Sequence, residues 1–196
     1  MAKEFYGYFD STEDDAREYD ASQFANILRA VALNGVTSHD GGLEVAADGL
    51  SMQTVVAPGG CIINGYVYVL EDDGGEQMSF THPASSTADR IDRIVVRLKA
   101  GMDERAMELA LLTGTPGAAP SPPELTRNDA VYELALAQVR VRAGVTVVTP
   151  EDVTDERPDE TVCGYAVPAA LRIQRLDARY GTEAITDAEI DGILEG

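Results

Sequence analysis

Two short charged motifs in this chain have the residue types and spacing to do specific polar chemistry. Arg90-Ile91-Asp92-Arg93 opens a strongly β-patterned run, and Thr154-Asp155-Glu156-Arg157 comes more than sixty residues later. A guanidinium and a carboxylate form planar, two-pronged ion pairs that can lock distant segments in register or grip an anionic ligand. Arg90, Asp92, Arg93, Asp155 and Arg157 are therefore the candidate salt-bridge residues. The structural reading, a staple at the end of a sheet, is preferred to a ligand site. The two histidines, His39 and His82, lie in polar, turn-rich stretches, so the expectation for both is a solvated surface position. Neither has a second ligand four residues away on a helix, as a metalloprotease motif requires. Cys61 and Cys163 form no CxxC pair and are expected as reduced, buried thiols.

Other catalytic patterns fail on spacing. No Gly-x-Ser-x-Gly elbow occurs, and Gly59-Gly60 and Gly74-Gly75 sit in turns rather than ahead of helices, where a phosphate loop would place them. The acid clusters at 10–15 and 71–76 lack calcium-loop spacing and read as solvated turns. The chain has no tryptophan to stack on sugars, which weakens a glycosidase reading. The expectation is a non-enzyme with no metal and no cofactor.

The elements that would carry the charged motifs follow from periodicity. Asp20 with Gln23 makes a capping box, and Phe24, Ile27, Leu28 and Val31 recur at helical intervals before Asn34-Gly35. This predicts a helix from about 21 to 33 whose apolar stripe is a core face. From 36 to 148 the period becomes two. Strands are expected at 43–47, 52–57, 61–63, 66–70 and 78–81, with Asn64-Gly65 as a hairpin turn, and the whole reads as a meander. Arg90 to Ala100 pairs with Ala106 to Leu112, and an extended Pro/Gly-rich loop covers 114–123. In the segment Tyr132 to Arg142 the apolar parity switches between Leu136 and Ala137, which demands a bulge or a strand that changes sheets. Helix is the competing reading of 130–137. Val145 to Val148 is expected to finish the β region, with a polar or short helical turn at 150–155. Beyond it, Thr186-x-x-Glu189 and Ile185, Ile190, Ile193 and Leu194 suggest a short helix that must dock on something.

Composition limits the partners. With 15 Lys and Arg against 34 Asp and Glu, the net charge is −19, which excludes nucleic acid and anionic membrane as partners. Apolar residues make up 44% of the chain, enough for a core. No apolar run reaches membrane-span length and no secretory signal opens the chain, so synthesis and folding in the cytoplasm are expected. Five aromatic residues, Phe5, Tyr6, Tyr8, Phe9 and Tyr19, crowd a short acidic N-terminal arm that cannot bury them by itself.

The ordered series of motifs adds a further expectation. It runs Asp20-x-x-x-Phe24, Asn34-Gly35-Val36, Pro58-Gly59, Ile63-Asn64-Gly65-Tyr66, Arg90-Ile91-Asp92-Arg93-Ile94-Val95-Val96-Arg97, Gly114-Thr115-Pro116, Leu134-Ala135-Leu136-Ala137, Val153-Thr154-Asp155-Glu156-Arg157 and Cys163-Gly164. Over about 5–164 this resembles a family of phage and prophage tail or baseplate structural proteins (minor structural or receptor-binding-region proteins) of Gram-positive-host siphophages. The resemblance implies a β-rich virion part, made in the host bacterial cytoplasm and placed in the virion tail. It implies a homo-oligomer, trimeric in preference to hexameric, that joins other tail and baseplate proteins.

The chain is thus expected to be mainly β: an antiparallel sandwich or barrel-like domain over 36–165, an aromatic arm and helix over 1–35, and a helical C-terminal segment over 166–196. The expected function is structural assembly, with Phe5, Tyr6, Tyr8, Phe9, Phe24, Ile190, Ile193 and Leu194 as candidate interface residues. The rival reading is a module that binds host cell-wall saccharide through a tyrosine-lined groove, and the third is an acid-pair glycosidase.

Overall fold

The computed structural model describes residues 7–166 apart from 73, 75, 76, 86, 102 and 103. Phe5, Tyr6, Ile190, Ile193 and Leu194 therefore lie outside the described residues, as does the expected C-terminal helix. Among the described residues the fold is mainly β, with three open antiparallel sheets and one α-helix in a sandwich-like arrangement.

Helix α1 (Ala21–Val31) starts where its capping box dictates. Asp20 Oδ1 accepts the Gln23 N–H at 2.9 Å, and Gln23 Oε1 accepts the Asp20 N–H at 2.8 Å. It ends two residues before the expected Leu33. Asn34 is held by the hairpin turn instead, its Oδ1 accepting the Asn64 N–H at 2.7 Å. Strand β1 (Gly35–Val36) follows directly.

Strands β2 (Val45–Ala47) and β3 (Gln53–Val56) form a hairpin, as do β4 (Gly59–Ile63) and β5 (Tyr66–Leu70). Asn64 and Gly65 both take positive φ, 51° and 80°, the geometry of the two-residue turn that matches strand twist. The expected meander does not form. After β5 the chain returns to β3 through β6 (Ser79–Thr81), so the orders are β1-β4-β5 and β2-β3-β6. Alternation fixes which face of a strand is buried but not which neighbour it pairs with.

The third sheet has the order β10-β9-β7-β8. Strand β7 (Arg90–Ala100) is central, between β8 (Arg105–Leu112) and β9 (Val131–Val141). The parity switch in β9 is a bulge: Ile94 pairs with Ala137 and Val95 with Ala135, leaving Leu136 as the extra residue. The bulge keeps Leu134, Ala137 and Val139 on the same face as Ile94, Val96 and Leu98, and all six belong to one buried cluster. That cluster also takes in Val45, Ala47 and Val56 from one small sheet and Cys61 and Ile63 from the other. Val145 to Val148 is not a strand. The β region ends later, with a 3-10 turn at Pro150–Asp152 and a short edge strand β10 (Val153–Asp155) on β9.

The stripe of α1 is not the expected core face. The helix lies across the β4–β5 turn, where Gly65 permits backbone contact with Ala25, the sole buried residue of α1. Phe24 and Val31 point outward, 57% and 55% exposed.

Candidate functional site

Two of the predicted charged residues, Arg90 and Asp92, sit together where the large sheet meets the sheet that contains β3. Asp92, on the buried face of β7, is fully enclosed. Its Oδ1 accepts Arg90 Nε at 2.7 Å and the Gly114 N–H at 2.9 Å, and its Oδ2 accepts His82 Nδ1 at 2.9 Å. His82 Nε2 lies 3.0 Å from Thr54 Oγ1 on β3, and Arg90 Nη2 donates to the Pro83 carbonyl. Burial pushes the Asp92 pKa up, but hydrogen bonds from His82, Arg90 and Gly114 outweigh it and hold the carboxyl below its usual range.

The expected solvated position of His82 is therefore corrected: the imidazole is buried, because β6 pairs with β3 and carries the following residue between two sheets. No local feature of Thr81-His82-Pro83 signals this. His39 is exposed, with its ring stacked on Tyr165 at 3.7 Å. Thr54, His82 and Asp92 reproduce the hydroxyl–imidazole–carboxylate order of a nucleophilic triad. None of the three is more than 1% exposed, so a substrate cannot reach the hydroxyl, and the chain of bonds acts as a cross-sheet tie.

Arg93 points to the opposite face of β7. Its Nε and Nη2 donate to the two oxygens of Glu156 at 2.9 and 2.8 Å, and Nη1 donates to the Pro123 carbonyl. Gln138 Nε2 adds a bond to Glu156 at 2.7 Å. Arg157 binds Asp155 locally through Nε and Nη2 and reaches the Gly42 carbonyl through Nη1. Burial raises the Asp155 pKa, and bonds from Arg157 lower it further than burial raises it. The five named residues therefore form three separate arrangements, and the long-range partner is Glu156.

The candidate interface residues occupy a different surface. Tyr8 packs against Tyr19 and Phe24 with ring centroids 4.5 and 6.1 Å apart, and the Phe9 N–H donates to the Tyr19 hydroxyl. The arm thus curls onto α1, yet Tyr8, Phe9 and Phe24 stay 43%, 59% and 57% exposed. Val67 and Val69 on the outer face of edge strand β5 are also uncovered, a feature the sequence reading did not single out.

A groove beneath α1 completes the survey. Three adjoining hollows of about 500, 450 and 530 Å³ run from the C-terminal end of the helix to its N-terminal end. The first two share Arg29, Asn64, Arg127 and Tyr132, and the last two share Tyr66, Leu98 and Ala100. Arg127 covers one face of Tyr132, its guanidinium carbon 5.2 Å from the ring centroid.

Both cysteines are buried and free. Burial pushes each thiol up to about 12, which leaves them protonated and unreactive at neutral pH. No group of three or more His, Cys, Asp or Glu among the described residues could hold a metal ion. Compared with family models, curated proteins and solved structures, the chain matches none.

Proposed function

We propose that this protein is a structural subunit of a phage or prophage tail baseplate that works through protein–protein interfaces rather than by transforming a substrate. One observation carries the reading: Tyr8 packs its ring against Tyr19 and Phe24, and Tyr8, Phe24 and the neighbouring Phe9 stay largely exposed although the chain has a well-filled core. Clusters of this kind on a soluble surface mark places where another chain sits. The net charge of −19 keeps free protomers apart, and assembly brings the aromatic surfaces together against that repulsion. A closed ring or trimer buries one such surface at each contact.

The test is the solution mass of the full chain and of a variant carrying Phe9→Ser and Phe24→Ser. Each ring lost from an interface costs about 2 kcal/mol, so the pair weakens association about a thousandfold. Light scattering should show an oligomer for the parent, stabilised by added salt, and a 20.9 kDa monomer for the variant. A parent that stays monomeric at tens of micromolar, alone and with its neighbouring tail proteins, sinks the reading. The saccharide rival gains little from the groove, because Arg127 already covers one face of Tyr132 and His39 stacks on Tyr165.

A further inference from the structure

The sheet edges of this protein are guarded unequally. An edge leaves a row of backbone donors and acceptors unpaired, and proteins blunt it with charge, proline, short length or a cover. Among the described residues, β2, β6 and β10 are three residues each. Strand β1 is covered by the chain at 164–166: the Val36 N–H donates to the Gly164 carbonyl, and the Ala166 N–H donates to the Val36 carbonyl. Strand β8 is long but carries Arg105 and Glu108, the latter ion-paired with Arg97 and Lys99. Strand β5 has none of these guards. It reads Tyr66-Val67-Tyr68-Val69-Leu70, without charge or proline, at the end of the order β1-β4-β5.

The register shows which of its backbone groups are free. The Thr37 N–H donates to the Gly60 carbonyl at 2.9 Å, so Gly60 directs its backbone towards the β1 side. Gly60 and Val69 are opposite each other on β4 and β5, and so are Ile62 and Val67. Hydrogen-bonded and non-bonded pairs alternate along an antiparallel ladder, so Cys61 with Tyr68 is a bonded pair and both valines are in non-bonded ones. The N–H and C=O groups of Val67 and Val69 therefore point out of the sheet edge. Their side chains are exposed on the outer face, while Tyr66, Tyr68 and Leu70 pack on the core.

This edge is complementary to itself. In an antiparallel pair of β5 strands with Tyr68 on the twofold axis, Val67 of each copy faces Val69 of the other, and each such pair exchanges two hydrogen bonds. The four valines then cover one another on the outer face, and Tyr66 faces Leu70 on the inner one. Charge favours the same arrangement. Glu71 and Asp72 follow β5 directly, so a parallel pairing would set each beside its own copy. The antiparallel pairing sends them to opposite ends, beside Gly65 and Asn64 of the other chain, where no acid precedes β5 and Arg29 donates to the Asn64 carbonyl at 3.0 Å. Asp129 and Glu160 border the hollows that Arg29 lines and share its charge, so the separation of the two acidic runs is the larger effect.

We infer that the open edge of β5 binds the same edge of a second copy of this chain, joining two β1-β4-β5 sheets into one six-stranded sheet. The contact is isologous and closes with two copies. It does not rest on the assembly reading, which concerns the aromatic surface of the arm.

The experiment uses the full chain carrying Phe9→Ser and Phe24→Ser, so that the arm contributes nothing. Pairing of five-residue strands is a small interface, and half-association is expected at about 1 mM, well above the concentrations that test the arm. Sedimentation from about 20 μM to about 2 mM should show a monomer–dimer equilibrium and nothing larger. Val69→Pro removes two of the outward donors without touching the β4–β5 ladder, so it should weaken the dimer about thirtyfold and leave thermal unfolding of the monomer unchanged. Absence of a dimer at 2 mM, growth beyond a dimer, or equal dimerisation of a folded Val69→Pro variant would each overturn the inference. Should Val69→Pro fail to fold, isotope-filtered NMR on an equal mixture of labelled and unlabelled protein decides. The Tyr68 Hα of one copy should lie against the Tyr68 Hα of the other, as in a non-bonded antiparallel pair. A Tyr68 Hα that instead meets residues 1–6 or 167–196 would overturn it, showing that the protein covers this edge otherwise. An oligomer of the parent that is lost on Phe9→Ser and Phe24→Ser, with no dimer at 2 mM, would keep the assembly proposal and sink this inference. A monomeric parent at tens of micromolar with a β5 dimer at 2 mM would do the reverse.

Discussion

Arg93 and Glu156 are sixty-three residues apart in sequence and meet through two parallel hydrogen bonds of 2.9 and 2.8 Å, fixing the outer face of β7 to the chain that leaves β10. Their side chains are only 8% and 7% exposed, so removing either partner strands a charge where water cannot reach it.

Breaking one side of such a buried pair costs about 3–5 kcal/mol, whereas replacing both by apolar residues of similar size can be close to neutral. Arg93→Met is therefore expected to lower the urea midpoint strongly. The double variant Arg93→Met, Glu156→Leu should recover much of that loss. Equal destabilisation in the single and the double variant would show that Arg93 acts mainly through its bond to the Pro123 carbonyl.

Gly65 offers a second test, because two costs coincide there. Its φ of 80° disfavours any side chain, and a Cβ would lie 1.9 Å from the Ala25 carbonyl oxygen. Gly65→Ala is expected to cost about 1–3 kcal/mol from backbone strain alone. It should also release α1 from the hairpin, seen as faster amide exchange over 21–31. Asn64→Gly keeps the turn and leaves α1 seated, so it serves as the control. Full protection of α1 in Gly65→Ala would show that the helix is held elsewhere.

The pH dependence has a definite sign at each end. Burial raises the pKa of Asp92, Asp152 and Asp155, but donors around each carboxylate outweigh it, leaving all three below the ordinary value. A depressed carboxyl contributes stability above its unfolded pKa, about 4, and that contribution is lost as pH falls through the lower folded value. Stability should therefore fall with decreasing pH below about 4. At the alkaline end, Cys61 and Cys163 are pushed up to about 12 by burial, so the folded state resists ionisation that the unfolded chain undergoes near 8.5. Stability should decline as pH rises from about 9 towards 12, and both thiols should react with a disulfide reagent only on unfolding. Replacing both by Ser should flatten the alkaline decline.

Local patterns in the chain determined more of this protein than its lack of a chemical motif suggests. The Asp20–Gln23 box fixes the start of α1, Asn64-Gly65 fixes a hairpin, and the parity change at Leu136 announces a bulge, because each depends on backbone geometry within a few residues. The pairing of Arg93 with Glu156, the burial of His82 against Asp92, and the exposure of Phe24 were decided by the tertiary structure alone. Each depends on which strand lies beside which. Alternating hydrophobicity assigns a residue to a face but is silent about the partner across it, so β6 could return to β3 and carry His82 inside without leaving a trace in the neighbouring residues.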